Sequence, residues 1–135
     1  MRIGGIGAVL PDITHIKEAL AAGRALEQAR YALAPVGIPE DPPAADIVGA
    51  RTAFREAIDR LHAVLAHAAG RPGTNHVELA LEEAEEALVH LTTPGITPPI
   101  ADVMDHAVRG EELVQEAVKL FDRNPAGWVG PAALA

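Results

Sequence analysis

The sequence contains no cysteine, so it offers neither a disulfide framework nor a thiolate that could act as a metal ligand or nucleophile. Aromatic residues make up only 3% of the 135 residues, although 49% of the chain is hydrophobic. Alanine supplies much of that hydrophobic fraction. A core of alanine, leucine, valine and isoleucine favours closely packed helices over a β-sandwich or barrel. The length is sufficient for one domain with its own core.

Long apolar runs are also lacking, and none approaches the roughly 20 residues that a membrane-spanning helix requires. The stretch from Met1 to Leu10 is unlike a signal peptide, because its apolar segment is short and interrupted by glycines. We therefore expect a single domain over residues 1–135 with no membrane span. We expect a cytoplasmic location, with secretion without a cleaved signal as the alternative.

Positive charge is scarce in the second half of the chain. The net charge is −8, which argues against nucleic acid as a partner because phosphate binding requires a cationic face. Residues 1–70 carry seven basic and eight acidic side chains, whereas residues 71–135 carry four basic and eleven acidic ones. Between Arg71 and Arg109 there is no lysine or arginine at all. The acidic character therefore belongs mainly to the second half.

The chain repeats itself. Residues Ala25–Leu33 read ALEQARYAL, and residues Ala80–Leu88, which lie 55 positions later, read ALEEAEEAL. Each segment is followed by a Gly-Ile turn and a double proline, in PPAADI over residues 42–47 and PPIADV over residues 98–103. Repetition of a helix-turn-helix unit predicts two like hairpins.

The predicted fold is all-α, an up-down-up-down four-helix bundle built from two repeated antiparallel helical hairpins. Within the single domain, residues 1–11 form an N-terminal arm and residues 12–70 form hairpin 1. Residues 74–123 form hairpin 2, and residues 124–135 form a C-terminal tail. Short connections make sequential helices antiparallel neighbours.

Capping patterns predict where each helix begins. Helix 1 is expected to begin near Asp12. Asp41 is expected to cap helix 2, with a proline at the first helical position. Asn75 and Glu78 form a predicted capping box at helix 3, and Thr97 is expected to cap helix 4.

Apolar spacings of three and four residues predict which side of each helix faces the core. For helix 1 the predicted stripe is Ile13, Ile16, Leu20, Gly23, Leu26, Ala29 and Leu33. For helix 2 it is Ile47, Ala50, Phe54, Ala57, Leu61, Val64 and Ala68.

The acidic outer face of helix 3 is the first candidate site. Its glutamates, together with the only tryptophan, are the predicted partner-binding residues, namely Glu78, Glu82, Glu85, Glu86 and Trp128. In the repeat, Glu85 and Glu86 take the places of Arg30 and Tyr31, so the two hairpins differ in surface charge. We expect a non-catalytic interaction or assembly module that binds a protein, in particular a basic one. Self-association through the apolar terminal arms is a further expectation.

A metal site is the alternative. Glu86 and His90 are four residues apart near the end of helix 3, and Asp102 and His106 are four apart near the start of helix 4. Residues four apart share a helix face, and a short turn brings these two helix ends together. Two carboxylates and two imidazoles suit zinc or another divalent ion. The alternative function is therefore a metal-binding bundle, or a metal-dependent hydrolase.

Motifs of other catalytic classes are lacking. The sequence contains no G-x-S-x-G nucleophile elbow and no glycine-rich phosphate loop between a strand and a helix. We therefore expect no catalytic residues and no cofactor under the first interpretation, and zinc under the alternative.

Overall fold

The computed structural model describes residues 13–34 and 44–123, and these residues form four α-helices and no strand. The helices are α1 (Thr14–Leu33), α2 (Ile47–His67), α3 (Thr74–Thr92) and α4 (Ile100–Arg123). The predicted all-α four-helix bundle of two antiparallel hairpins is confirmed. The two terminal arms and Trp128 lie outside the described residues.

The four helices form a closed ring. α1 packs against α2 and α4, and α3 packs against α2 and α4. Successive helices are joined by connections shorter than the helices themselves, so neighbours run antiparallel. Each hairpin thus buries its apolar side against the other.

Alanine dominates the core. Of the 23 buried hydrophobic residues in the described part of the chain, 13 are alanines. Such small side chains allow the helix backbones to approach closely, which is how a chain with few aromatics still packs densely. Phe54 and Phe121 are the largest of the fully buried side chains and fill the remaining volume.

The predicted stripe of α2 is buried from Ala50 to Ala68, whereas the predicted stripe of α1 is buried only at Leu26, Ala29 and Leu33. Ile13 and Leu20, both expected in the core, have 40% and 46% of their surface exposed. The buried residues of α1 are His15, Ala19, Ala22, Ala25, Leu26, Ala29 and Leu33. The narrow alanine side of the helix faces the interior, because it lets α1 approach two neighbours at once.

The start of α2 differs from the prediction. Asp41 itself lies outside the described residues, but residues 44–46 are not helical and α2 begins at Ile47, so Asp41 is not its cap. Asp46 is the cap, and its Oδ1 accepts a hydrogen bond of 2.8 Å from the Gly49 N–H. This bond satisfies one of the free donors of the first turn, which is why the helix begins here.

The predicted capping box of α3 does not form. α3 begins at Thr74, so Asn75 lies exposed inside the first turn and not at its cap. Gly73 occupies the cap position with a φ of 108°, and a Cβ there would lie 3.0 Å from the Phe121 ring. Glycine therefore satisfies both the backbone conformation and the close approach of α4.

α4 also begins later than the sequence predicts. Thr97 is not its cap, because the first helical residue is Ile100 and the Val103 N–H donates to the Pro99 carbonyl at 3.0 Å. The residue before a proline is disfavoured in the α conformation, so a helix cannot readily start ahead of Pro99.

The start of α1 and the end of α4 meet at one end of the bundle. His15 is fully buried, and its ring lies edge-on to Phe121 with centroids 4.8 Å apart. Nη1 of Arg71, from the α2–α3 connection, lies 3.1 Å from Nε2 of His15. The same end therefore holds a buried polar contact that links three segments.

Candidate metal centre

The α3–α4 hairpin positions the candidate metal ligands. Glu86 and His90 lie one turn apart on α3, and His106 lies on α4. Each precedes a buried residue, namely Ala87, Leu91 and Ala107. The three candidate ligands therefore lie along one edge of the buried stripes, where α3 faces α4.

The donor atoms of these three side chains converge. One donor from each of Glu86, His90 and His106 lies within 4.8 Å of the other two. The two imidazole rings are stacked, with centroids 5.6 Å apart and planes inclined by 21°. Ligand atoms around a tetrahedral zinc lie about 3.3 Å apart, given Zn–N bonds near 2.0 Å. To bind a zinc ion, the three donor atoms therefore need to move towards one another by at most about 1.5 Å. Side-chain rotation can supply such a movement.

Burial of the three candidate ligands differs. Glu86 is exposed, whereas His90 and His106 are partly buried. The two imidazoles are therefore held by the surrounding helices, while the carboxylate is free to adjust. A cluster with this arrangement opens towards solvent on the side of Glu86.

His106 is oriented by a neighbouring carboxylate. Its Nδ1 lies 2.6 Å from Oε1 of Glu83, and the short distance indicates that Nδ1–H donates to the carboxylate. This tautomer leaves Nε2 as the nitrogen with no hydrogen-bond partner among the described residues. A carboxylate on the second nitrogen is the usual support of a metal-binding histidine, since it fixes the ring and increases its basicity.

Glu83 also binds Arg109. The Arg109 Nε donates to the same Oε1 at 3.2 Å. Nη2 of Arg109 lies 3.1 Å from Nδ1 of His106, which is a hydrogen bond only in the other tautomer. Burial raises the pKa of Glu83, but the hydrogen bonds from His106 and Arg109 outweigh it and hold that pKa below its ordinary value. Glu83 is therefore a carboxylate that stays ionised beside the cluster.

Asp102 is not part of this group. It is exposed in the first turn of α4. His106 stacks on His90, so in an antiparallel hairpin a residue four earlier on α4 lies beside a residue four later on α3. The residue opposite Asp102 is therefore residue 94, which lies beyond Thr92, the last residue of α3. Asp102 therefore lies about 6 Å along the helix from His106, away from the other ligands.

Glu83 and Arg109 were not among the residues predicted from the sequence. For Glu83 a signal existed, because it precedes Glu86 by three positions and His90 by seven, the spacing of one helix face. For Arg109 the signal is weaker. It lies on the other helix, and its pairing depends on the register of α3 against α4.

The acidic outer face of α3 is exposed along its length. It comprises Glu78, Glu82, Glu85 and Glu86. None of these four carboxylates forms an ion pair with a residue of the ranges 13–34 and 44–123. Two large apolar side chains are exposed on the same helix, Leu79 at 48% and Val89 at 60%. The fifth predicted partner-binding residue, Trp128, lies outside the described part of the chain.

No described helix is both long enough and apolar enough to cross a membrane. Comparisons of the chain with protein-family models, with curated proteins and with solved structures gave no match.

Proposed function

We propose that this protein is a divalent-metal-binding helical bundle in which Glu86, His90 and His106 hold the ion between α3 and α4. The observation that supports the proposal is the convergence of three donor atoms from two helices to within 4.8 Å. The hydrogen bond between His106 Nδ1 and Glu83 adds support, because it leaves Nε2 as the ring nitrogen available to a metal ion.

The donor set favours zinc. Two imidazole nitrogens and one carboxylate oxygen form a ligand combination that zinc uses widely. Calcium and magnesium prefer sites made entirely of oxygen ligands, so the two histidines disfavour them. The chain has no cysteine, which removes the thiolate donors that soft metal ions such as Cu(I) select.

Metal content and thermal stability test the proposal on the untagged full chain. Purified protein is expected to bind one zinc ion per chain, and added zinc is expected to raise the melting temperature above that measured in EDTA. Binding to the folded state stabilises it in proportion to the logarithm of the zinc concentration over its Kd. His90→Ala and His106→Ala are each expected to abolish the zinc-dependent rise.

His62→Ala is the matched control. His62 is an exposed helical histidine on α2, so its removal changes the histidine count without touching the cluster. This variant is expected to keep the full zinc-dependent rise. An equal rise in His90→Ala and in the parent protein, or none in either, would contradict the proposal.

The second candidate function is a protein-interaction module that uses the outer face of α3. The observation that favours it is the set of four carboxylates that form no ion pair within the described part of the chain, interspersed with exposed Leu79 and Val89. A partner surface that combines basic and apolar side chains would complement this face. The partner-facing residues under this proposal are Glu78, Glu82, Glu85 and Glu86.

A photo-cross-linking residue placed at Leu79 identifies the partner in cells, and the purified pair is then titrated. Glu82→Lys combined with Glu85→Lys is expected to weaken binding by at least about tenfold, because both changes place like charges opposite the basic partner. Asp59→Lys is the control charge reversal, because Asp59 is exposed on α2 and forms no ion pair with a described residue, and it is expected to leave the affinity unchanged. Equal affinity of the double variant would refute this interface.

A further inference from the structure

We infer that the metal centre keeps one coordination position open and that this position takes an exchangeable, singly charged anion, for which acetate is the probe, in place of water. The inference rests on the proposed metal binding and adds to it the class of molecule that the bound ion recognises. It follows from the number of donors, from their charge and from the exposure of the cluster.

Three protein donors leave one coordination position of a tetrahedral ion unfilled. Three side chains converge, whereas structural zinc sites fill all four positions with protein ligands. Asp102, the fourth candidate ligand that the sequence offers, is exposed and lies a turn away from His106. Glu83 is already engaged by His106 and Arg109 through Oε1. The fourth position is thus left to a molecule from solvent.

The charge of the centre favours an anion over a neutral ligand. A divalent ion bound by one carboxylate and two neutral imidazoles carries a net charge of about +1. Glu83 and Arg109 pair with each other, so together they leave this charge unchanged. A monoanion that displaces the bound water therefore neutralises the centre.

The surroundings disfavour a more highly charged ligand. Glu82 and Glu85 are exposed on the same helix as Glu86, within about one turn of it. Their negative charge repels a phosphate dianion more strongly than a carboxylate, over a distance comparable with the Debye length. The positive charge of the centre and the negative charge of these two glutamates together favour a ligand that carries a single negative charge.

Exposure of the cluster allows the ligand to enter. Glu86 is exposed, and Val89, one turn along the same face, has 60% of its surface exposed. The anionic group of a ligand can therefore bind the ion while the rest of that molecule lies on the outer surface of α3.

Cobalt substitution of the full chain tests the inference. Tetrahedral Co²⁺ gives visible absorption bands that respond to a change of ligand. Acetate is expected to shift these bands in a saturable manner, and phosphate is expected to require a higher concentration for the same change. Asp102→Asn is expected to alter the Kd for Co²⁺ by less than about twofold, because this residue is no ligand.

Different results overturn different claims. A protein that binds no Co²⁺ would refute the proposed metal binding. A protein that binds Co²⁺ but shows bands insensitive to acetate would refute the open position and leave metal binding intact. A loss of more than about tenfold in Co²⁺ affinity in Asp102→Asn would show that this carboxylate closes the site. A response to phosphate at lower concentration than to acetate would refute the selection for a single charge.

Discussion

Arg30 of α1 and Glu111 of α4 form a two-point ion pair between the two hairpins. Nε donates to Oε2 at 2.7 Å and Nη2 donates to Oε1 at 3.2 Å. The Glu111 side chain is only 14% exposed, and its hydrogen bond raises the pKa of the Arg30 guanidinium. In the sequence repeat the counterpart of Arg30 is Glu85, which is exposed on α3. Equivalent positions therefore serve opposite purposes, since one joins the hairpins and the other faces solvent.

This ion pair is expected to contribute measurably to stability. A double-mutant cycle of Arg30→Ala and Glu111→Ala should give a coupling of about 0.5–1 kcal/mol, because the pair is bidentate and partly buried. Urea unfolding measures the free energies. The exposed pair between Glu116 and Lys119 is the control, with an expected coupling of at most about 0.3 kcal/mol. Equal coupling in both cycles would show that the two-point geometry adds nothing.

Two helical glycines should respond in opposite directions to alanine. A Cβ on Gly23 would lie 3.4 Å from Val114, an ordinary contact, so Gly23→Ala is expected to stabilise by about 0.5–1 kcal/mol through helix propensity. A Cβ on Gly110 would lie 3.1 Å from Cδ1 of buried Leu26. In Gly110→Ala the crowding against Leu26 is therefore expected to outweigh the gain in helix propensity and to destabilise the protein by about 1 kcal/mol. Thermal melts of the two variants decide the matter, and a similar rise in both would contradict close packing at Gly110.

The observed caps predict a contrast between Asp46 and Asn75. Asp46→Ala removes the bond to the Gly49 N–H and is expected to cost about 1 kcal/mol. Asn75→Ala is expected to change stability by less than about 0.5 kcal/mol, because Asn75 is exposed inside α3 and caps nothing. Chemical denaturation distinguishes the two. A larger loss of stability in Asn75→Ala than in Asp46→Ala would show that Asn75 does cap α3, as the sequence predicted.

Acid should weaken the bundle partly through Glu83. Its pKa in the folded protein is lowered from the ordinary value of 4.5. A depressed carboxyl pKa contributes stability that is present above the unfolded pKa and is lost as the pH falls through the folded pKa. Between about pH 5 and about pH 3, in EDTA, the parent protein should therefore lose more stability than Glu83→Gln.

The control for this pH dependence is Glu78→Gln. Glu78 has no ion-pair partner among residues 13–34 and 44–123, so its variant should follow the parent protein. Unfolding free energies measured at both pH values give the comparison. Parallel losses in the parent protein and in Glu83→Gln would mean that His106 and Arg109 do not stabilise this carboxylate.

The sequence predicted the helices better than their orientation. The α2 stripe was correct from Ala50 to Ala68 because its large residues recur at spacings of three and four. The α1 stripe was correct in its second half, from Leu26 to Leu33, but wrong at Ile13 and Leu20, because the buried alanines carry a weak pattern and the exposed Leu20 a strong one. Burial in this bundle follows how closely two helices can approach, a property that hydrophobicity alone does not encode.

Only part of the candidate site could be predicted from the sequence. The spacing of Glu86 and His90 places both on one face of α3, which is local information. Which residues of α4 oppose them depends on the register of the hairpin, and that register is set by where α4 begins. The later start at Ile100 and the stacking of His90 on His106 put Asp102 outside the cluster. The same register brings Arg109 to Glu83.

The contact between His15 and Phe121 has a practical consequence. It places the beginning of α1 and the end of α4 together, whereas His106 lies 15 residues earlier on α4 than Phe121. At 1.5 Å per residue the separation along the helix is about 22 Å. A tether to a sensor chip or resin, attached through the exposed side chain of Asp122 at the end of α4, would therefore lie at the opposite end of the bundle from the imidazoles. Immobilised protein should keep them accessible to ions and small molecules in the flowing buffer.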